Sequence, residues 1–314
     1  MDRLPERLVE CVPNFSEGRR QDVVDALVST IRTVPQVWVL DVHSDADHNR
    51  TVVTCVGDPE AMVEAMYRAI ARAAQLINLD EHRGEHPRIG ATDVVPFVPL
   101  RGMSMAECVQ LARRLGRRVG DELGIPVYLY EEAALRPERR DLAYIRRGEY
   151  ETLKQTIHSD PDRAPDYGPR AVGPAGAVAI GARFFLIAFN VYLNTDDVRI
   201  AQRIARAVRH SSGGLRHVKA MGVRVRGRAQ VSMNLTHYRR TPIFRAVELI
   251  RREAARYGCA ITHTELVGLA PLEALLDVAR WYLQLEDTFS PSQVLEVRLA
   301  EVLAEEPPLY LQEE

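Results

Sequence analysis

The sequence predicts an α+β protein of two ferredoxin-like (βαββαβ) subdomains, and three observations predict it. Hydrophobic periodicity switches between strand and helix spacing in the order β-α-β-β-α-β, and the order occurs twice. The 314 residues are 46% hydrophobic and 27% charged, enough apolar side chain for two cores. Between the copies, residues 135–182 are rich in Arg, Pro and Gly and too long for a plain connector. The expected division is 1–180, connector included, and 181–314. A sheet with helices on one face leaves the other needing cover. The two sheets are therefore expected to face each other across a ligand crevice, edged by the middle stretch.

In the first copy, Leu8–Pro13 reads as a strand and Gln21–Thr33 as an amphipathic helix. Strands follow at Val37–Val42 and Arg50–Val56, then a helix from Pro59, a residue suited to a first turn, to about Leu76. A polar loop leads to a strand at Asp93–Leu100, and a helix over Ser104–Leu123 and a strand at Pro126–Tyr130 extend the unit. The second copy has a strand at Phe184–Leu193 and a helix over Asp196–His210, capped by Thr195 or Asp196. Arg216–Val225 and Ala229–Thr236 read as a hairpin turning at Arg226-Gly227. A helix over Pro242–Tyr257, a strand at Ala260–Val267 and a helix over Pro271–Leu285 close it.

Net charge is −2, which argues for neither a nucleic-acid nor a membrane partner. MDRLPERLVE lacks the apolar core of a secretion signal, and the longest apolar run, Phe184–Leu193, is interrupted by Asn190 and too short to span a bilayer. A cytoplasmic location is expected. The cysteines at 11, 55, 108 and 259 form no C-x-x-C pair, and Cys11 and Cys55 fit buried strand positions.

The densest chemistry lies in His82–Phe97, HRGEHPRIGATDVVPF. Gly84, Pro87 and Gly90 break helices, so its titratable groups sit on a shaped loop before a strand. His82-Arg83-Gly84-Glu85-His86 spells the H-x-x-E-H zinc pattern, but that motif needs a helix to align its histidines, and Pro87 pushes His86 out of the α region. No metal is expected. His86 reads either as a general acid/base or as a surface histidine. Asp45-Ala46-Asp47-His48-Asn49-Arg50 opens like a calcium loop, yet Arg50 replaces the required glycine and Val56 the glutamate. Asn49 and Arg50 are left as either a solvated turn or substrate contacts.

Val12-Pro13-Asn14-Phe15-Ser16-Glu17-Gly18 joins strand to helix; Ser16 suits an N-cap, and Asn14 a cap or a substrate amide. Arg88 suits a carboxylate clamp or a surface ion pair. The glycines of YGPRAVGPAGAVAIGAR do not fit a dinucleotide fingerprint; they suit close approach to a planar ligand, or a flexible linker. Arg136, Arg139, Arg140, Arg146 and Arg147, interleaved with acids, read as a solvated face or an electrostatic rim.

VECVPNFSEGR, DVHSDADHNRTVVTCVGDP, GEHPRIGATD, GIPVYLYEEAA, PDYGPRAVGPAGAVAIGARFFLIAFNVYLNT and ELVGLAPLEALLD occur in this order. Together they resemble the glutamate formimidoyltransferase family, folate-dependent enzymes of histidine breakdown, over nearly the whole chain. The resemblance implies a duplicated ferredoxin-like fold, transfer of a formimidoyl group from N-formimidoyl-L-glutamate to N5 of the co-substrate tetrahydrofolate, and a homodimer. It makes His86 the catalytic histidine, taking the N5 proton and returning it to the departing glutamate nitrogen. Folate contacts would come from Tyr167, Gly168, Pro169, Arg170, Ala171, Val172, Gly173, Pro174, Ala175 and Gly176. Asn14, Asn49, Arg50, Arg88 and Asn190 are the candidates for substrate contacts. Mammalian members read DVDS where this chain reads Asp41-Val42-His43-Ser44, so an acidic partner does not carry over to position 43. Those members also carry a cyclodeaminase domain, which this chain is expected to lack. Rival expectations are a 5-formyltetrahydrofolate–glutamate formyltransferase on the same site, a metal-dependent hydrolase using HRGEH, and a non-catalytic folate-binding module.

Overall fold

Pro13 breaks the opening strand. Having no N–H to offer a neighbour, it leaves two pieces, β1 (Val9–Cys11) and β2 (Asn14–Phe15), where the sequence suggests one strand over Leu8–Pro13. A computed structural model describes residues 5–302, which divide between Arg183 and Phe184 into two units.

In the first unit, both pieces lie antiparallel between β4 (Arg50–Gly57) and β5 (Thr92–Pro99), and β3 (Val37–Asp45) pairs with β4. Two parallel strands extend the sheet beyond β5: β7 (Val178–Ala182) beside it and β6 (Val127–Glu131) outermost. Helices α1 (Gln21–Arg32), α2 (Pro59–Leu76) and α3 (Met105–Leu123) bury their apolar stripes against one face. Asp58 caps α2 ahead of Pro59, and α3 begins in a Ser104–Glu107 capping box and ends at Gly124, whose φ of 63° suits glycine.

The end of the stretch 135–182 supplies strand β7 to the interior of the sheet. All five residues of VAIGA are buried, as a parallel strand covered on both faces must be. Gly181 is needed there, since a Cβ would lie 2.4 Å from the Tyr130 ring. Upstream, α4 (Leu142–Ile145) and α5 (Glu149–Thr156) place Ile145 and Leu153 in a second apolar cluster with Val94, Tyr128 and Tyr130. The face opposite the long helices thus receives cover from within the same unit.

Two arginines of the basic run, expected on a solvated face or an electrostatic rim, point inward. Arg139 is 1% exposed; its guanidinium donates to Asp166 Oδ1 at 2.7 Å and to the carbonyls of Ala164 and Asp162. Asp166 Oδ2 accepts the Leu129 N–H at 2.8 Å, so this pair ties the middle stretch to β6. Arg146 pairs with buried Asp93.

The second unit is a four-stranded antiparallel sheet in the order β11 (Ile261–Val267), β8 (Ile187–Leu193), β10 (Arg228–Leu235), β9 (Val218–Val225). It runs in the order β8, α6 (Val198–Val208), β9, β10, α7 (Ile243–Ala255), β11, followed by α8 (Leu272–Leu283) and α9 (Leu295–Val302). The cap of α6 is Asp197, whose carboxylate accepts the Arg199 N–H, rather than Thr195 or Asp196; the Thr195 hydroxyl instead accepts the Asp197 N–H. Arg226 and Gly227 turn the hairpin with φ of 48° and 78°. No helix among the described residues is long and apolar enough to cross a membrane.

Removing one partner of a buried ion pair strands the other charge, which typically costs about 3–5 kcal/mol. Asp166→Ala is expected to lower the unfolding free energy by that amount in urea titration. A loss under about 1 kcal/mol contradicts this role for the pair.

Candidate active site

A narrow recess in the first unit gathers side chains from four places. Asn14, Phe15 and Ser16 come from β2 and its end. His48, Asn49 and Arg50 come from the β3–β4 turn, His82, His86 and Arg88 from the loop after α2, and Asp93 from β5. Five sequence candidates, His86, Asn14, Asn49, Arg50 and Arg88, therefore line one site.

The turn and the loop dock backbone to backbone. Asn49 sits at φ 49°, a conformation asparagine tolerates better than most residues. Its side-chain oxygen accepts the Gly18 N–H at 3.0 Å, and its NH₂ donates to the Arg83 carbonyl at 2.9 Å. Gly84 packs so close that a Cβ would lie 2.3 Å from the His48 carbonyl oxygen. The Asn49 amide is thus committed to joining three segments.

His82 has its tautomer set by geometry. Arg88 Nε–H donates to His82 Nδ1 at 3.1 Å, so the ring proton is on Nε2, which donates to the Asn49 carbonyl at 3.0 Å. Burial and the Arg88 charge keep the ring's pKa below its ordinary value. Both nitrogens are occupied, and the loop is not helical, which removes the geometry that HRGEH needs to act as a zinc motif. Among the described residues no group of three or more His, Cys, Asp or Glu is placed to hold a metal.

Arg88, a candidate carboxylate clamp, is buried and saturated. Besides His82 Nδ1 it donates to Glu149 at 2.8 Å, to both oxygens of Glu151 at 2.9 and 2.6 Å, and to the His82 carbonyl at 3.4 Å. It anchors the loop to α5. Ser16 is likewise not the cap it was expected to be: its hydroxyl donates to the Gly90 carbonyl at 2.7 Å, and α1 starts after Arg20 without a side-chain cap. Glu17 instead accepts the Arg19 and Arg20 N–H groups. Asn14 donates to the Val12 carbonyl at 3.0 Å.

Arg50 differs from Arg88. Its Nε is buried without a hydrogen-bond partner among the described residues. Burial and neighbouring Arg146 lower its pKa to about 10, while Asp93 and Asp45 partly oppose the fall. The same two cations act on His86. Burial first, then Arg50, Arg146 and His48, pull its pKa down to about 2, so the imidazole is neutral at physiological pH. A neutral ring can accept a proton, which a general base must do.

The Tyr167–Gly176 stretch lies between α5 and β7 in the chain. Tyr167 bridges to Val127, Gly176 pairs with Gly90, and Ala175 accepts the Ala91 N–H. Most of its residues between Gly168 and Pro174 are exposed. Asn190 lies in the second unit, on β8, and donates to Glu265 at 3.1 Å. His43 sits on β3 opposite Val52 and does not line the recess. Two positions along the same face, Asp45 supplies a carboxylate, 3.1 Å from His48 Nδ1. His48, Asp45, Asp93 and Arg146 were not singled out by sequence reasoning for this site. The only signal for the first pair was its i, i+3 spacing in DADHNR.

Two family models match the chain: the formiminotransferase domain, N-terminal subdomain, over residues 8–183, and the formiminotransferase domain over residues 188–303. A glutamate formimidoyltransferase of Thermoplasma acidophilum is 53% identical over 93% of this chain and 97% of its own length. One from Streptococcus pyogenes is 47% identical over 93% and 99%. The formimidoyltransferase-cyclodeaminase of Mus musculus is 44% identical over 93% of this chain and 56% of its own length.

Asn49→Ala leaves the Gly18 N–H and the Arg83 carbonyl without their partner and places a less tolerant residue at positive φ. A loss of about 1–3 kcal/mol in unfolding free energy is expected, with faster amide exchange at Gly18 and through residues 82–88. Unchanged exchange there contradicts the docking role.

Proposed function

We propose, because this chain belongs to the formiminotransferase family, that it is a transferase moving the formimidoyl group of N-formimidoyl-L-glutamate to N5 of tetrahydrofolate, a step of histidine degradation. The observation that supports the chemistry most directly is a neutral His86 beside Arg50, whose buried Nε has no hydrogen-bond partner among the described residues. The donor carries carboxylates and a protonated amidine, already an electrophile. Arg50 suits a carboxylate, and Arg88, saturated by Glu149 and Glu151, holds the loop. The exposed part of the Tyr167–Gly176 stretch is our candidate for folate contact, its far end being fixed to the catalytic loop at Gly90.

In this reading N5 attacks the amidine carbon, and the new bond leaves its charge on N5. His86 accepts that proton, and the C–N bond to glutamate breaks once the glutamate nitrogen has gained a proton. General base action typically contributes about 10²–10⁴-fold, with the remainder from holding both substrates in register. Carboxylate binding at Arg50 would offset one of the charges that depress His86, so the base strengthens when the donor arrives.

His86→Ala is expected to lower turnover of N-formimidoylglutamate with tetrahydrofolate by about 10²-fold or more, while calorimetry shows folate binding retained. Turnover within about threefold of wild type overturns the assignment. In Arg50→Met, removal of a depressing charge is expected to raise the acid-limb pKa of kcat/KM, which reports the free enzyme, together with the donor KM. An unmoved limb contradicts the coupling.

A further inference from the structure

We propose that His48, oriented by Asp45, is the general acid that protonates the departing glutamate nitrogen, while His86 removes the proton from N5. This rests on the transferase reading and divides between two histidines the proton work which that reading requires.

Both rings line the recess and meet edge to face, with centroids 6.3 Å apart and planes at 66°. Asp45 grips His48 twice. One carboxylate oxygen lies 3.1 Å from Nδ1 and the other accepts the His48 backbone N–H at 2.8 Å. Nδ1 is thereby taken up as a donor, and Nε2 is left as the nitrogen that exchanges protons. Asp45 remains ionised: burial pushes its carboxyl up, but the bonds from His48 more than offset this and hold it below the usual range. The rings keep their separation because the segments carrying them are locked together. Gly84 abuts the His48 carbonyl, and the Glu85 N–H donates to the Asp47 carbonyl at 3.4 Å.

The two rings have different partners. His86 faces the cations Arg50 and Arg146, which disfavour an imidazolium. His48 has the Asp45 carboxylate on one side, with His86 across the recess and Arg50 beginning the next strand. One ring held by a carboxylate and one without such a partner give the site two distinct groups for handling protons.

The protons balance. N5 bonds to the amidine carbon and gives its proton to His86. The bond from that carbon to the glutamate nitrogen breaks, its electron pair stays on nitrogen, and nitrogen takes the Nε2 proton of His48, which acts in its imidazolium form and keeps its Nδ1 proton directed at Asp45. The acidic imidazolium at 86 then returns a proton to His48 through one bridging water, and no further reactant is consumed.

The test compares two donors: N-formimidoylglutamate, whose amine must be protonated to leave, and an N-formimidoyl aromatic amine, whose nitrogen departs far more easily. His48→Gln is expected to lower kcat/KM by about 10²-fold or more with the glutamate donor and by under about 10-fold with the aromatic one. Asp45→Asn keeps the acceptor for the turn but loses the charge. It is expected to show the same donor dependence with a smaller loss, and it serves as the test variant should His48→Gln fail to fold. Equal losses with both donors, or a glutamate rate within about threefold of wild type, overturn the proposal. Absence of transfer by the wild-type protein overturns the transferase reading and this inference together; wild-type transfer with an unaffected variant overturns this inference alone.

Discussion

The recess depends on a chain of hydrogen bonds that passes through Asn49. It begins at the Gly18 N–H, crosses the Asn49 side chain to Arg83, and continues from the Asn49 carbonyl to His82 Nε2. From His82 Nδ1 it reaches Arg88, and from Arg88 the carboxylates of Glu149 and Glu151. The N-terminal block, the β3–β4 turn, the loop after α2 and α5 are joined by this path. Polar staples of this kind suit a loop that must expose titratable groups, because apolar packing would bury them. Each member has its donor or acceptor matched, so the path fixes direction as well as distance.

That rigidity allows the site to hold groups which are poorly satisfied. Arg88 and Arg139 are buried with well-matched partners and act as scaffold. Arg50 and Arg146 each keep a buried Nε without a partner among the described residues, and both act on His86. An unpaired buried donor is destabilising, and it persists only where the surroundings impose it. Such departures from full satisfaction are expected at functional sites.

Much of the fold was legible because its elements follow local rules. The Asp58 cap ahead of Pro59, the Ser104–Glu107 box and the Arg226-Gly227 turn are all short-range signals. Strand β7 was missed because VAIGA sits in glycine-rich sequence, and what makes it a strand is parallel pairing with β5 and β6 from distant parts of the chain. Arg139 and Arg146 looked like the other arginines of their run. Only tertiary structure brings Asp166 and Asp93 to them. In the site, loop composition pointed to His86 and the turn pointed to Asn49 and Arg50. The saturation of Arg88 was not visible, since Glu149 and Glu151 lie more than sixty residues away.

The distribution of charge also bears on which substrate the recess suits. Two cations, Arg50 and Arg146, are set against two carboxylates, Asp93 and Asp45. A field of one sign would favour a simple ion, whereas a site that holds both signs favours a ligand that is itself dipolar. On the proposed reading the donor is such a molecule, with its cationic amidine on the α-nitrogen and its side-chain carboxylate at the far end. Placing the side-chain carboxylate at Arg50 holds the amidine away from the guanidinium that would repel it. Arg50, which with burial helps to keep His86 neutral, would then also orient the donor, and a lysine at position 50 would not reproduce the planar two-point contact of arginine with a carboxylate.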